Sequence, residues 1–385
     1  MESEHAAAAP EHAVARPEAS TPARPGASTP AGPEPGTPGV TAPAPGGAAA
    51  GQLLRRSARW ETGLLLVVIA IAVFGASTSS EFLAGSNFFN IGLGSGEIAI
   101  MALPMTLIII SGEIDLSVAS TMGMSSALLG VLWSKGWPML AIFAVLVLLG
   151  AAAGLLNGVL VTRVGLPSLA VTIGTLALFR GIALITIGSN TVSNFPAVYT
   201  NMGVEPIPHT QLSYSAGIFI LLALIFGVAL HGTPFGRSVF AMGANQDAAL
   251  FAGIRVKRIK TLLFVISGVV CAMAGALLTF RLNTAVQNNG LGLELDVVAI
   301  VLLAGVSIFG GKGTIIGVVL AVLAFAGLQN ALLLTNFNQE ATGIVIGGLL
   351  LASVFVPNVM SFSARARESL GRRSRATTAV IRSGP

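Results

Sequence analysis

TPFGRSVFAMGANQDAALFAGIRVKRIK, residues 233–260, is the longest polar and basic interruption in the apolar C-terminal half of this chain. Hydrophobic runs flank it on both sides. Within it, Asn245 to Gly253 reads as a short helix with defined ends. Asn245 is a good N-cap, because its side-chain oxygen can accept a free backbone N–H of the first turn. Asp247 places a negative charge where the helix dipole favours it. Ala248 and Ala249 are strong helix formers, and Gly253 suits the left-handed residue that stops a helix. Arg255, Lys257, Arg258 and Lys260 follow at once, as expected on the inner side of a membrane. A short capped helix on a basic loop between two spans is suited to being pushed by another body.

The flanking runs fix the class. Of 385 residues, 54% are hydrophobic and only 10% are charged, against about 25% charged in a soluble domain. Mean hydropathy is +0.83. The reading is an all-α, polytopic helix bundle in a membrane. The net charge of +5 invites a nucleic-acid reading, but the basic residues sit at the ends of apolar runs, where they orient spans. The single cysteine, Cys271, excludes an intrachain disulfide, and no Cys/His spacing predicts a metal site.

Ten apolar runs of about the 20 residues that a bilayer needs are predicted as spans: 60–77, 90–111, 114–133, 138–161, 167–188, 214–231, 261–282, 294–310, 313–335 and 340–356. Residues 1–52, rich in Ala, Pro and Gly, lack the apolar side chains to offset ordering entropy and are predicted as a disordered cytoplasmic tail. They also lack the apolar core of a signal peptide. The membrane region is predicted as 53–360, with its cytoplasmic loop at 232–260 and a basic cytoplasmic tail at 361–385. With both termini inside, the inner segments hold Arg55, Arg56, Arg59, Arg163, Arg237, the 255–260 cluster, Lys312 and the tail arginines. The outer segments hold only Lys135 and Arg281. This asymmetry orients the chain. Glu113-Ile-Asp115-Leu opens the third span and Glu294-Leu-Asp296-Val the eighth. Five spans separate them, so an inverted repeat of five plus five spans and chance similarity are both open.

A charge at the bilayer centre costs ~2.5–3.5 kcal/mol or more unless paired or solvated. Glu97 and Arg180 each lie roughly 12 Å from the outer end of their spans at 1.5 Å per residue, so pairing at one level is predicted. Separate solvation in a wet vestibule is the alternative. Pro104 predicts a kink in span two. Asn157, Thr172, Thr175, Gln329 and Asn330 offer hydrogen bonds to a hydroxyl-rich solute, although joining neighbouring helices is the expected role of any single one. Gly150, Gly154 and Gly158 share one face of span four and predict a close helix contact, within the bundle or between subunits. Gly310-Gly-Lys-Gly313 fails the phosphate-loop pattern and reads as a tight turn. No constellation of catalytic groups is found.

Four ordered motifs then carry a resemblance. These are Met105 to Val118 with its Gly-Glu-Ile-Asp-Leu-Ser core, Pro167 to Gly181, Phe235-Gly-Arg237 through Gly253-Ile, and Leu295-Asp296 through Phe309-Gly-Gly-Lys-Gly. Together they resemble the ribose/xylose/rhamnose-type permeases of sugar ABC importers, within the branched-chain amino acid/ribose permease superfamily, over about residues 60–357. Asp247 stands where Glu is usual in the coupling sequence. Ala119 and Gln329 depart from the family's Gly and Arg, and Leu103-Pro-Met looks closest to the rhamnose branch.

The resemblance implies a transport subunit rather than an enzyme, in a bacterial plasma membrane, paired with a second copy or a paralogue. Separate ATPase subunits would hold ATP and magnesium and grip Asn245, Asp247, Ala248, Ala249 and Gly253. An extracytoplasmic binding protein would deliver a monosaccharide. Asn157, Thr172, Thr175, Arg180 and Glu97 are expected along the solute path, with Glu113 and Asp115 capping a helix at the inner mouth. Carriage of nucleosides or branched-chain amino acids, and an ion-driven secondary transporter, are the competing readings.

Overall fold

The structure, a computed structural model, describes residues 47–335, 337, 343–345, 347–348 and 351, with side chains from residue 60 onward. Most of the anticipated tenth span, most of the N-terminal tail and all of the C-terminal tail lie outside the described residues. The helices are α1 (Gly47–Thr78), α2 (Gly85–Ile110), α3 (Val118–Ser134), α4 (Met139–Val159) and α5 (Ser168–Ile187). They continue as α6 (Ala197–Val204), α7 (Tyr214–Gly232), α8 (Pro234–Ala244), α9 (Gln246–Phe251), α10 (Val256–Leu282), α11 (Leu293–Leu303) and α12 (Ile315–Leu334). A π-helical turn, Leu160–Val164, extends α4. The two-residue strands β1 (Val192–Ser193) and β2 (Thr284–Ala285) pair antiparallel, with Val192 opposite Ala285.

Helix α2 is the hub. It is apolar on every side, as a core helix must be, and Met101, Ala102, Leu103, Met105 and Ile108 are fully buried. It runs as one helix through Pro104, and α7, α10, α11 and α12 pack around it. Its N-terminal part is tied to α12 by a reciprocal amide pair, Asn87 with Asn330, at 2.7 and 2.9 Å. The outward faces of the peripheral helices expose large apolar side chains, such as Leu66, Leu140, Ile185 and Leu224. Such a surface belongs in lipid.

The glycine face of α4 packs within the chain, against α10. A methyl group on Gly154 would overlap the carbonyl of Phe264, and one on Gly150 would overlap that of Gly268. A methyl on Gly158 would come within 2.9 Å of the Thr261 Cα. Small residues therefore bring these two backbones into contact.

Seven helices among the described residues are long and apolar enough to cross a membrane: the 60–78 part of α1, α2, α4 with its extension, α5, α7, α10 and α12. Two anticipated spans are shorter. Helix α3 has 17 residues and α11 has 11, so at 1.5 Å per residue α11 covers roughly half of a ~30 Å hydrocarbon core. The apolar run 294–310 looks like a full span, but its helix stops at Gly305. There Gly305 takes φ +81, its N–H bonds the Leu302 carbonyl, and the Val306 N–H bonds the Val301 carbonyl. That is a Schellman stop, and Val306, Ile308 and Phe309 lie beyond it.

Candidate functional site: a polar interior joined to a capped loop helix

The loop between α7 and α10 folds into two short helices. Thr233 caps α8 by accepting from the Gly236 N–H, and Asn245 caps α9 by accepting from the Ala248 N–H at 3.0 Å. Asp247 lies in the first turn of α9, and Gly253 takes φ +80 just beyond its end. The predicted capped helix is therefore present. Ala249 is buried against the bundle, whereas Phe251 is 93% exposed.

Helix α8 sits on the end of α2. The Gly311 N–H donates to the Ile110 carbonyl at 2.8 Å, and a methyl on Gly243 would overlap that same carbonyl. The Gly310–Gly313 segment is a tight turn, with Gly310 and Gly311 at positive φ and the Ser307 N–H bonded to the Lys312 carbonyl at 3.0 Å.

Lys260 joins the loop to the interior. It is 6% exposed, and its ammonium donates to Glu113 Oε1 at 2.5 Å and to Gln246 Oε1 at 2.6 Å. Gln246 is the first residue of α9, and Glu113 lies in the break between α2 and α3. From sequence, Lys260 is one of the basic residues of the inner loop, and Gln246 carries no assigned role. The signal for Lys260 was its register: it shares a face with Val256, Leu263, Phe264 and Ser267, all buried.

The break from Ser111 to Ser117 is stitched on three sides. Asp115, 3% exposed, accepts at Oδ1 from the Ser117 N–H at 3.0 Å and the Ser117 hydroxyl at 2.6 Å. At Oδ2 it accepts from Ser267 of α10 at 3.4 Å. Asn157 of α4 donates to the Ser117 hydroxyl at 2.8 Å, and its own Oδ1 is buried without a partner. Thr172 of α5 donates to the carbonyls of Ser168 and Ile114, and the Ile114 N–H donates to Ser168 Oγ. Thr175 makes only a long bond to the Thr172 carbonyl, at 3.4 Å.

Asp115 holds the turn into α3 by accepting from Ser117, but α3 has no side-chain cap, so Asp115 does not cap the helix. Glu113 does not cap; it reaches Lys260 instead. The two copies of the acidic motif are not equivalent, because Asp115 precedes α3 while Glu294 and Asp296 lie inside the first turn of α11.

The predicted pairing of Glu97 with Arg180 does not occur. Glu97, 2% exposed, binds Arg281 Nε at 2.9 Å. Arg281 lies in the last turn of α10, so a residue assigned to the outside turns inward to meet the buried carboxylate. Arg180 is engaged elsewhere: it donates to the carbonyls of Asn289 and Gly290 at 2.8 and 2.6 Å.

Those carbonyls belong to the non-helical segment before α11. This segment runs back along α3, with Ala285 beside Gly130 and Gly290 against Met122, and Asn289 donates to Ser126 Oγ at 2.8 Å. Irregular backbone inside a membrane bundle needs such donors. Gln287 Oε1 on the same segment and Glu294 Oε2 in the first turn of α11 are buried acceptors without donors. Among the described residues, no group of three or more His, Cys, Asp or Glu side chains is placed to hold a metal.

A lipid-facing helix bundle with a polar interior, tied to a capped helix on a loop, is the layout of a membrane transport subunit, a permease. The family described as branched-chain amino acid transport system / permease component matches residues 87–354. The Autoinducer 2 import system permease protein LsrD of Escherichia coli (strain K12) is 33% identical over 331 residues, covering 82% of this chain and 97% of the relative. The same figures hold for LsrD of Shigella flexneri. No solved structure matches. The chain belongs to this permease family: it is a multi-pass membrane subunit of an ABC importer, a transport component and not an enzyme. The resemblance to sugar-type ABC-importer permeases drawn from its motifs is upheld.

Proposed function

We propose that this permease forms the path for a monosaccharide, a pentose, hexose or deoxyhexose such as rhamnose, across a bacterial plasma membrane with both termini inside. An extracytoplasmic binding protein delivers the sugar, and a second permease copy or paralogue completes the path. ATPase subunits, which carry the ATP and magnesium, press on α8 and α9. The observation that supports this most is the Lys260 bridge, because it links the loop helix directly to the break beside Asp115, Ser117 and Asn157. Movement of α9 therefore reaches the polar interior through two hydrogen bonds. Donor-free acceptors at Asn157, Gln287 and Glu294 suit a solute rich in hydroxyl groups, since each buried acceptor without a donor is costly. Thr172 and Thr175, bonded to backbone carbonyls, line that region rather than lead in recognition. Autoinducer 2, named for the relative LsrD, is the second candidate cargo.

Reconstitution tests this reading. Vesicles holding the chain, its ATPase and the binding protein are expected to accumulate a radiolabelled sugar only with ATP. Accumulation by the chain alone, driven by an ion gradient, would replace the proposal with a secondary transporter. Dependence on ATP with leucine or a nucleoside as the only accepted cargo would replace the substrate class.

A further inference from the structure

A cavity of about 450 Å³ opens where α10 begins, beside α8 and the end of α9. Ser238, Gly253, Arg255, Arg258, Ile259 and Leu262 line it. Arg255 and Arg258 are exposed, and among the described residues no acidic side chain pairs with either. Arg258 and Leu262, four residues apart, share one face of α10 with Ile259 beside them, and Arg255 is the residue that precedes the helix. The face is basic at the loop end and apolar farther along, where Leu262 is 47% exposed. It continues through the half-buried Ile266 and Val269 into the membrane-length part of α10.

We propose that this cavity binds the headgroup of an anionic phospholipid, with its acyl chain lying along the Leu262–Ile266–Val269 face. Charge and hydropathy change together along a single helix face. A soluble partner would meet the arginines but not the apolar stripe, and a zwitterionic lipid would bring its own cation beside the phosphate, leaving two guanidinium charges without net compensation. The phosphate accepts from Arg255 and Arg258, while the Ser238 hydroxyl at the rim already donates to the Pro234 carbonyl. Bound lipid would hold the start of α10, and with it Lys260, against α8. The site lies on whichever membrane face carries α8 and α9, and lipid added in detergent reaches both faces, so its test is independent of chain orientation and of the cargo.

The full-length chain in detergent is titrated with phosphatidylglycerol, with phosphatidylcholine, and separately with inorganic phosphate, and bound lipid is counted by native mass spectrometry. One tightly held phosphatidylglycerol per chain is expected, with phosphatidylcholine lost at the same collision energy. A basic side chain near an anionic headgroup contributes about fivefold in affinity, so Arg255→Gln with Arg258→Gln is expected to bind about 30-fold more weakly. Arg163→Gln, an exposed basic position outside the cavity, should leave binding unchanged. The single variants carry the test if the double variant aggregates.

Equal retention of the two lipids overturns the proposal, and so does an equal effect of Arg163→Gln. Displacement of phosphatidylglycerol by millimolar phosphate reassigns the cavity to a free anion. If the double variant sheds the ATPase subunit while holding lipid normally, the surface is a protein contact instead.

Discussion

Replacing Lys260 with Met tests the link between loop and interior most directly. Met keeps most of the stem volume and removes the ammonium. In the native protein that ammonium makes two bonds, at 2.5 Å to Glu113 and 2.6 Å to Gln246, with side-chain exposures of 8% for Lys260 and 14% for Glu113. Breaking a buried pair by removing one partner costs about 3–5 kcal/mol, because the other charge is left uncompensated. The residual exposure of Glu113 admits some water, so the lower end, about 3 kcal/mol, is expected. Glu113→Gln in the Lys260→Met background removes the orphaned carboxylate and should restore about 2 kcal/mol of that loss. Equilibrium unfolding of the four proteins in mixed micelles measures the cycle. In vesicles with the ATPase and binding protein, the double variant should regain stability while uptake per ATP hydrolysed stays low, because α9 remains disconnected from the interior. Additive losses in the cycle, or full transport by the double variant, would refute the reasoning.

Three further outcomes follow from the same geometry. Gly154→Ala drives a methyl group into the Phe264 carbonyl and should cost about 2 kcal/mol as overpacking, whereas Gly181→Ala, with open space around it, should stay within about 0.5 kcal/mol when both are unfolded under identical conditions. A double-mutant cycle between Glu97→Gln and Arg281→Gln should show about 1–3 kcal/mol of coupling, while Glu97→Gln with Arg180→Gln should be additive. Arg180→Lys cannot reach the Asn289 and Gly290 carbonyls as a fork and should cost about 2 kcal/mol, with faster hydrogen exchange across residues 286–292 as the local readout.

Features whose causes lie within a few residues were legible in the sequence. The start and stop of α9 depend on Asn245, Asp247 and Gly253, and all three act over one or two turns. The Gly310–Gly313 turn and the glycine face of α4 were legible for the same reason, although the sequence left the partner of that face open. Partner choice across the bundle was not legible. Glu97 and Arg180 shared a depth by residue counting, but depth does not specify azimuth, and the Asn289 and Gly290 carbonyls claimed the guanidinium. Hydropathy also hid the end of α11. Apolar residues on either side of Gly305 average into one continuous span, while the backbone turns there. Lys260 was hidden by a counting rule that treats every basic residue near a span as solvated.

The brevity of α11 has a consequence for how the chain enters a membrane at all. An insertion machinery that recognises a stretch of about 20 apolar residues meets the run 294–310 here, which folds into a helix of only 11 residues with Glu294 and Asp296 in its first turn. This piece cannot partition into lipid by itself. It must wait for a seat, and much of that seat is built from parts translated earlier: α2 packs against the helix itself, and Met122 and Ser126 of α3 with Arg180 of α5 hold the segment that leads into it. Biogenesis is therefore ordered by the fold, with the late segment completing a niche that the early segments leave ready.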